Sequence, residues 1–482
     1  MSKFQTIDFY KTPKKNYHLL PFRFSNIAGN KLILTNLVGE YFITEKKTLE
    51  DLVHHKLEQE DPNYKALRSK HFLYDDQTSV AKDLLSIKYK TKHNRLAEFT
   101  SLHMFVVSLR CEHSCPYCQV SRQSDDKLKY DMSEEVALKS LDLALRSPSP
   151  NIKIEFQGGE SLLNFDLIKF IVEEAKRRET NKNLTFVIAT NLAVVSRDIL
   201  EYCKIHGIHI STSLDGPKEL HNKNRPRPGK NSYEKTIEGI NLSREILGPD
   251  MVSALMTTTE ASLAYPKEII NEYIQNNFNE IFLRPLSPYG FAIKTKKFNE
   301  YNADKWFEFY KEGMEYIIDL NRNGLEFKEF YTSIILKKIF TFNDPGYVDL
   351  MSPSGIGIAA VIYNYDGEVY ASDESRMLAE MGDKQFKIGD VMKNTYEEIF
   401  LSDNLLDPLE ESFSYSAPMC NECAFENYCG SDPVYHHAVH GDFVGRKPES
   451  DFCKRNMSIF KYIFNRMESD SFVEQLFMSW IQ

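Results

Sequence analysis

Cys111, Cys115 and Cys118 stand in the octapeptide CEHSCPYC, separated by three residues and then two, directly after the apolar run HMFVVSL. Thiolate is the preferred ligand of iron–sulfur clusters, and three cysteines on one tight loop hold three corners of a four-iron cube, leaving one iron open. Zinc with a fourth ligand elsewhere is the competing reading, although zinc favours CxxC pairs and closed tetrahedra. Cys420, Cys423, Cys429 and Cys453 form a closed set of four, enough for one zinc or for a complete 4Fe-4S cluster. In a reducing compartment such grouping argues for metal and against disulfides. Cys203 lies apart in a helical pattern and reads as a buried thiol.

These residues need a large scaffold, and 482 residues with 42% hydrophobic side chains supply two or three domains with sizeable cores. A net charge of −10 disfavours nucleic acid as the main partner. No apolar run approaches the roughly eighteen residues that span a bilayer, and the opening MSKFQTIDFYKTPKK has no signal-peptide core, so no membrane partner and a cytoplasmic location are expected. The basic stretch KYKTKHNR, Lys88 to Arg95, reads as a solvated linker.

Residues 1–90 read as a separate unit. KLILTN and EYFIT flank Gly39 as a hairpin, and Thr48 with Asp51 suggests a capped helix start. From about 100 to 321, strands and helices alternate: HMFVVSL, IKIEFQ, LTFVIAT, IHISTSL, VSALMTT and EIFLRPL, with helices beginning near Ser133, Phe165, Ser196, Ser232 and Tyr265. Six β/α units imply an α/β fold with a parallel sheet, doubly wound or curled into a partial barrel. The cysteine loop and the strand endings QGGES, TNL, SLDGP and RPLSP then share the carboxyl face, where working residues sit. Residues 322–482 form the last region, in which about 322–403 reads as a less regular bridge with a hairpin turning at Asp366-Gly367.

The CxxxCxxC loop, QGGES some forty residues on and SLDGPKELHNKNRPRP resemble the radical S-adenosylmethionine enzymes, and the last motif resembles their sulfatase-maturating and peptide-modifying branch. The resemblance implies a partial (β/α)6 TIM-type barrel whose open iron chelates S-adenosylmethionine and splits it to a 5′-deoxyadenosyl radical. It implies roles in cofactor binding for Tyr117, Gly158, Gly159, Glu160, Ser213, Arg225 and Leu286: glycines that admit the backbone to the methionine end, Glu160 on its ammonium, Arg225 on its carboxylate and Tyr117 against adenine. Asp215 could be a turn former before Gly216 and Pro217 and is a secondary candidate.

CNECAFENYCG with the later Cys453 resembles the SPASM extension of the peptide-modifying enzymes, which commonly carries two auxiliary clusters. Ser352 or Ser354, Ala371-Ser372 and Pro433 stand where the first cluster's thiolates are expected, so one auxiliary 4Fe-4S cluster is implied. Asp373 matches a position that takes a proton from substrate in the sulfatase-maturating members, and a salt bridge with Arg376 is its rival role. His436, His437 and His440 are read as structural or substrate-contacting.

The resemblance further implies an N-terminal winged-helix-like domain that pairs a precursor's leader strand, and a maturase that modifies a ribosomal precursor peptide oxidatively, for instance by a side-chain crosslink. LPFRF, YASDE and DPVYHH are similar to the maturases of His-Xaa-Ser peptide systems. The implied partners are the leader-bearing precursor, a reductant such as flavodoxin or ferredoxin, and a second maturase. A sulfatase-type formylglycine maturase and a non-catalytic, cluster-bearing scaffold are the alternatives.

Overall fold

The computed structural model describes residues 16–76, 80–178 and 181–481; the opening fifteen residues lie outside them. Among the described residues up to 76 lie five short strands: β1 (His18–Leu19), β2 (Phe22–Ala28), β3 (Lys31–Asn36), β4 (Tyr41–Glu45) and β5 (Leu73–Tyr74). β2, β3 and β4 form an antiparallel sheet, with the expected hairpin turning at Gly39. Leu34, Leu52, Leu67 and Phe72 close a small core beneath it, while Ile27 and Ile33 join the main core of the molecule.

Two local expectations need correcting. The first helix, Lys46–Val53, begins straight from β4 with Glu45 at its N-cap, so Thr48 lies inside the first turn. KYKTKHNR is no solvated linker. Its first half ends the helix Ala81–Lys92, where Lys88 pairs with Glu40 and Lys92 bonds Asn427, and burial pulls Lys92 down to about 8.

Five parallel strands follow, β6 (Leu102–Ser108), β7 (Asn151–Gly158), β8 (Asn183–Thr190), β9 (Ile208–Ser213) and β10 (Val252–Leu255). Their alternating apolar residues pack under helices that start where expected. Ser133 and Ser196 cap two of them, each hydroxyl accepting from the backbone N–H three residues on.

The sixth unit differs from the (β/α)6 reading. EIFLRPL gives a two-residue strand, β11 (Glu280–Ile281), which pairs with β12 (Lys328–Glu329) and leaves the main sheet. Pro285 and Pro288 carry no N–H, so the ladder cannot run on through RPLSP. Thr258 N–H donates to Arg284 O at 2.8 Å, and the Tyr301 hydroxyl accepts from Leu286 N–H and donates to Thr258 O, each at 2.7 Å, which keeps that segment beside the end of β10.

The sixth parallel place goes to the C-terminal part of the chain. β13 (Ala360–Tyr363) pairs in parallel with β6, and β14 (Glu368–Tyr370) and β15 (Lys387–Asp390) extend the sheet antiparallel to order β10-β9-β8-β7-β6-β13-β14-β15. Residues 322–403 thus hold a sheet edge and the helix Phe330–Phe340, more than a connection. The N-terminal sheet docks on the second cysteine segment: Thr35 donates to Ala424 O at 2.6 Å and Tyr428 to Gly39 O at 2.7 Å. One core runs from Ile33 through the barrel to Phe460 and Phe477, across all three expected sequence regions. Among the described residues, no helix is long and apolar enough to cross a membrane.

Candidate active site

A cavity of about 220 Å³ opens at the carboxyl ends of the parallel strands. Cys111, Cys115 and Cys118 line it together with Tyr117, Gly158, Gly159, Ser213, Arg225 and Asp373. The endings of β6 to β10 therefore converge as the alternation of strands and helices requires.

The glycine pair does more than admit a ligand. A Cβ on Gly158 would sit 1.8 Å from Ser108 O, and one on Gly159 2.4 Å from Arg110 O. Gly159 N–H donates to Ser108 O at 2.8 Å and Glu160 N–H to Arg110 O at 2.7 Å, stitching QGGES to the strand end that launches Cys111. At the other end of the loop, Phe291 N–H donates to Cys118 O at 2.8 Å. Arg110, buried, anchors the loop base through Asp131 at 2.7 Å and Asp125 at 2.9 Å.

Glu160 is not among the residues that line the cavity. It is fully buried; Oε1 accepts from Thr190 Oγ1 at 2.6 Å and Leu162 N–H at 3.0 Å, and Oε2 from Asn191 N–H at 2.8 Å. Removal from water, with Glu112 nearby, lifts its carboxyl to about 7. Leu286 sits beyond β11 and packs on Tyr117 from behind with Ala292.

Asp215 organises this corner. Its Oδ2 accepts from the Tyr117 hydroxyl at 2.5 Å and lies 3.1 Å from Arg225 Nε, and the guanidinium stands 5.6 Å from the Tyr117 ring centroid. From sequence Asp215 is a secondary candidate beside a turn-former's role, because an Asp-Gly-Pro turn looks the same with or without such partners. His113 and His221 share the Ser232 hydroxyl at 2.7 and 3.1 Å, a brace that no local pattern signals.

On the opposite wall, Asp373 begins the helix Asp373–Ala379, which Ser372 caps. Its Oδ1 has no hydrogen-bond partner and lies 3.6 Å from Arg376 Nε, so the residue both faces the cavity and leans on the arginine. Glu155, Gln157 and Arg284 complete that wall; Gln157 and Arg284 open the QGGES and RPLSP endings expected on this face, while Glu155 was missed, because an isolated polar residue in a strand resembles any solvent-facing one. Burial raises the Glu155 carboxyl.

Cys420, Cys423, Cys429 and Cys453 line one separate cavity of about 260 Å³. Cys453 enters from the helix Asp451–Ser469, while Phe24 of β2 and Phe460 form apolar walls. Ser352 accepts from Ser414 N–H at 3.0 Å, Ser372 caps a helix and Pro433 starts another, so the positions without thiolates serve local structure. His436 bonds Asp432 O and Ser450, and His437 bonds Asp383, as structural residues would.

Both cysteine sets fit a multi-iron group better than one ion. Among the described residues, the group of three possible ligand atoms within 4.8 Å is Cys111, Glu112 and His113, and there both ring nitrogens of His113 are already engaged, by Glu112 and Ser232. Thiolates around a single zinc lie about 3.8 Å apart, given bonds of roughly 2.3 Å, and neither set closes that far. Burial lifts the Cys115 thiol to about 12 and Cys423 to about 11, and raises Cys111 and Cys429 too. Thiolates in these places require a bound cation.

Residues 105–271 match the family described as Radical SAM superfamily. The serine-type anaerobic sulfatase-maturating enzyme of Bacteroides thetaiotaomicron is 22% identical over 68% of this chain and 80% of its own. The solved structure of anSMEcpe with bound AdoMet superposes with a TM-score of 0.63 at 16% identity, over 79% of this chain and 98% of that one. Streptococcus suis SuiB bound to precursor peptide SuiA gives 0.53 at 14% identity, over 90% and 98%. These structural likenesses are of fold. The chain spans 61% of the length of the curated relatives it matches first.

Proposed function

We propose, from the radical SAM domain that residues 105–271 carry, that this chain is an enzyme that removes a hydrogen atom from a side chain of a peptide or protein substrate. The observation that carries the reading is the cavity where three cysteines, the Tyr117–Asp215–Arg225 clamp and the unpartnered Asp373 oxygen face one another.

Cys111, Cys115 and Cys118 would hold a 4Fe-4S cluster, and Tyr117, Ser213, Arg225 and the Gly158–Gly159 backbone would hold S-adenosylmethionine. That pair, when bound, supplies a 5′-deoxyadenosyl radical. Glu160 acts indirectly, fixing the Thr190–Asn191 turn of the cavity wall. Asp373 takes the proton that leaves the substrate as it is oxidised, with Arg376 holding the carboxylate in place. Cys420, Cys423, Cys429 and Cys453 would hold one auxiliary cluster that accepts the electron. A small reductant protein such as flavodoxin or ferredoxin would reduce the first cluster, in the cytoplasm.

Two outcomes are open to this chemistry. The likeness to sulfatase-maturating enzymes favours oxidation of a serine or cysteine to formylglycine. The three-stranded sheet and helices of residues 16–92, and a SuiB likeness that spans nearly the whole chain, favour a ribosomal precursor bound through its leader on a winged-helix-like domain, as in maturases of His-Xaa-Ser peptide systems. A second maturase would then act on the same precursor.

Reconstituted protein incubated anaerobically with S-adenosylmethionine, reductant and candidate substrate tests the reading. Release of 5′-deoxyadenosine is expected, coupled to loss of two hydrogens from a serine or crosslinked substrate, or, for a cysteine, to loss of two hydrogens followed by hydrolysis of the thioaldehyde with release of sulfide; no release would leave a cluster-bearing scaffold. An aldehyde captured by hydroxylamine identifies formylglycine; a crosslink gives none.

A further inference from the structure

Asp349, Glu374 and Asp432 meet in a second cavity, of about 40 Å³, beside the reaction pocket. They come from the three stretches that lack the thiolates of a first auxiliary cluster: Asp349 precedes Ser352, Glu374 follows Ser372 and Asp432 precedes Pro433. Arg284 lines both cavities, and Asp373 in one is the chain neighbour of Glu374 in the other.

The charges do not balance. Three carboxylates face two guanidiniums, Arg284 and Arg455, and the Arg284 Nη2 to Glu374 Oε1 separation is 4.0 Å. With all three ionised, one negative charge is left over. Burial first, then repulsion among neighbouring carboxylates, lifts all three carboxyls to about 7.

Two buried polar atoms also lack partners. Tyr289 is 1% exposed and Trp306 2%, yet the phenol hydroxyl and the indole N–H make no hydrogen bond. Tyr289 lines the cavity together with all three carboxylates, and burial first, then those charges, raise its phenol. Trp306, Tyr331 and Tyr347 add aromatic walls, and aromatic rings attract cations.

We propose that this cavity is a subsite for one small positive charge: the ammonium of a substrate side chain that enters past Arg284, or a free monovalent cation. The substrate arm rests on the peptide reading above. The three carboxylates do not close within 4.8 Å, and two guanidiniums share their wall, so a divalent ion is not the fitting occupant. The space takes an ammonium head and little more.

Isothermal titration calorimetry on the reconstituted full chain tests this with n-butylammonium chloride, potassium chloride and neutral n-pentanol, at ionic strength held by tetrabutylammonium chloride. Saturable binding of butylammonium alone supports the substrate ammonium, and saturable potassium binding supports the free cation. Asp349→Asn should weaken either at least tenfold. Tyr289→Phe, which removes only an unpartnered hydroxyl, should weaken it severalfold and guards against a folding defect in the first variant. No saturable binding of either cation, equal binding of pentanol, or unchanged binding in both variants overturns the proposal. Release of 5′-deoxyadenosine is scored separately, so failure of the subsite and failure of the radical reading are distinguishable.

Discussion

The Tyr117 hydroxyl donates to Asp215 Oδ2 at 2.5 Å, although 98 residues separate the two in sequence. The same oxygen lies 3.1 Å from Arg225 Nε, so one carboxylate orients the ring and the guanidinium proposed to hold S-adenosylmethionine. Hydrogen bonds to charged groups contribute about 1.5–3 kcal/mol. Asp215→Asn is therefore expected to weaken S-adenosylmethionine binding roughly ten- to hundredfold, with iron content unchanged, as read by equilibrium dialysis of reconstituted protein. Wild-type affinity in the variant would reduce Asp215 to a turn former.

The two cysteine sets line separate cavities, so their losses should separate too. Cys115→Ala is expected to abolish release of 5′-deoxyadenosine. Cys429→Ala should keep reductive cleavage while losing part of the bound iron and acid-labile sulfide. Normal cleavage in Cys115→Ala, or zinc in place of iron in anaerobically purified wild type, would refute the assignment.

Gly159 presses on the strand end that carries Cys111. A Cβ there meets Arg110 O at 2.4 Å and Leu109 O at 2.7 Å, both backbone atoms that cannot swing aside. Overpacking of this kind costs about 1–3 kcal/mol. Gly159→Ala should lower the melting temperature and reduce iron retained at the first site, measured with the second set replaced by alanine. Full retention would show that the loop yields more easily than its contacts imply.

Asp373→Asn keeps the shape of the helix start and removes the proton acceptor. Loss of a general base costs typically 10²- to 10⁴-fold. Product formation should fall by that order while S-adenosylmethionine cleavage continues, uncoupled. Parallel loss of both activities would instead mark Asp373 as a structural partner of Arg376.

Asp349 gives a pH prediction. Its carboxyl rises from an ordinary 3.8 to about 7, first through burial and then through Asp432. Between those values the folded chain keeps a proton that the unfolded chain has released, so this group's contribution to stability falls as pH rises from about 4 to about 7 and is level above. Melting curves across that range should fall less steeply for Asp349→Asn than for wild type. Identical slopes would mean that the carboxyl titrates normally.

Much of this chemistry could be read from short stretches. The spacing within CEHSCPYC puts three thiols on one loop, and the polar endings of the strands share a face because parallel β/α units leave no other arrangement. Five helix starts near Ser133, Phe165, Ser196, Ser232 and Tyr265 were equally legible, since side-chain caps and apolar periodicity act within a few residues. The sixth strand misled because its apolar start is genuine, while Pro285 within the stretch and Pro288 just beyond it stop the ladder.

Nearest-neighbour patterns decided what the chain could bind, and long-range closure decided how it would be held. The seven grouped cysteines and the glycine-rich turn are local facts of the sequence. That β13 would lie beside β6, that Asp215 would join Tyr117 to Arg225, and that three carboxylates from distant segments would crowd one small cavity came only with the folded chain. Such pairings depend on which surfaces are buried against each other, and that balance of desolvation and charge exists only once the whole core has closed.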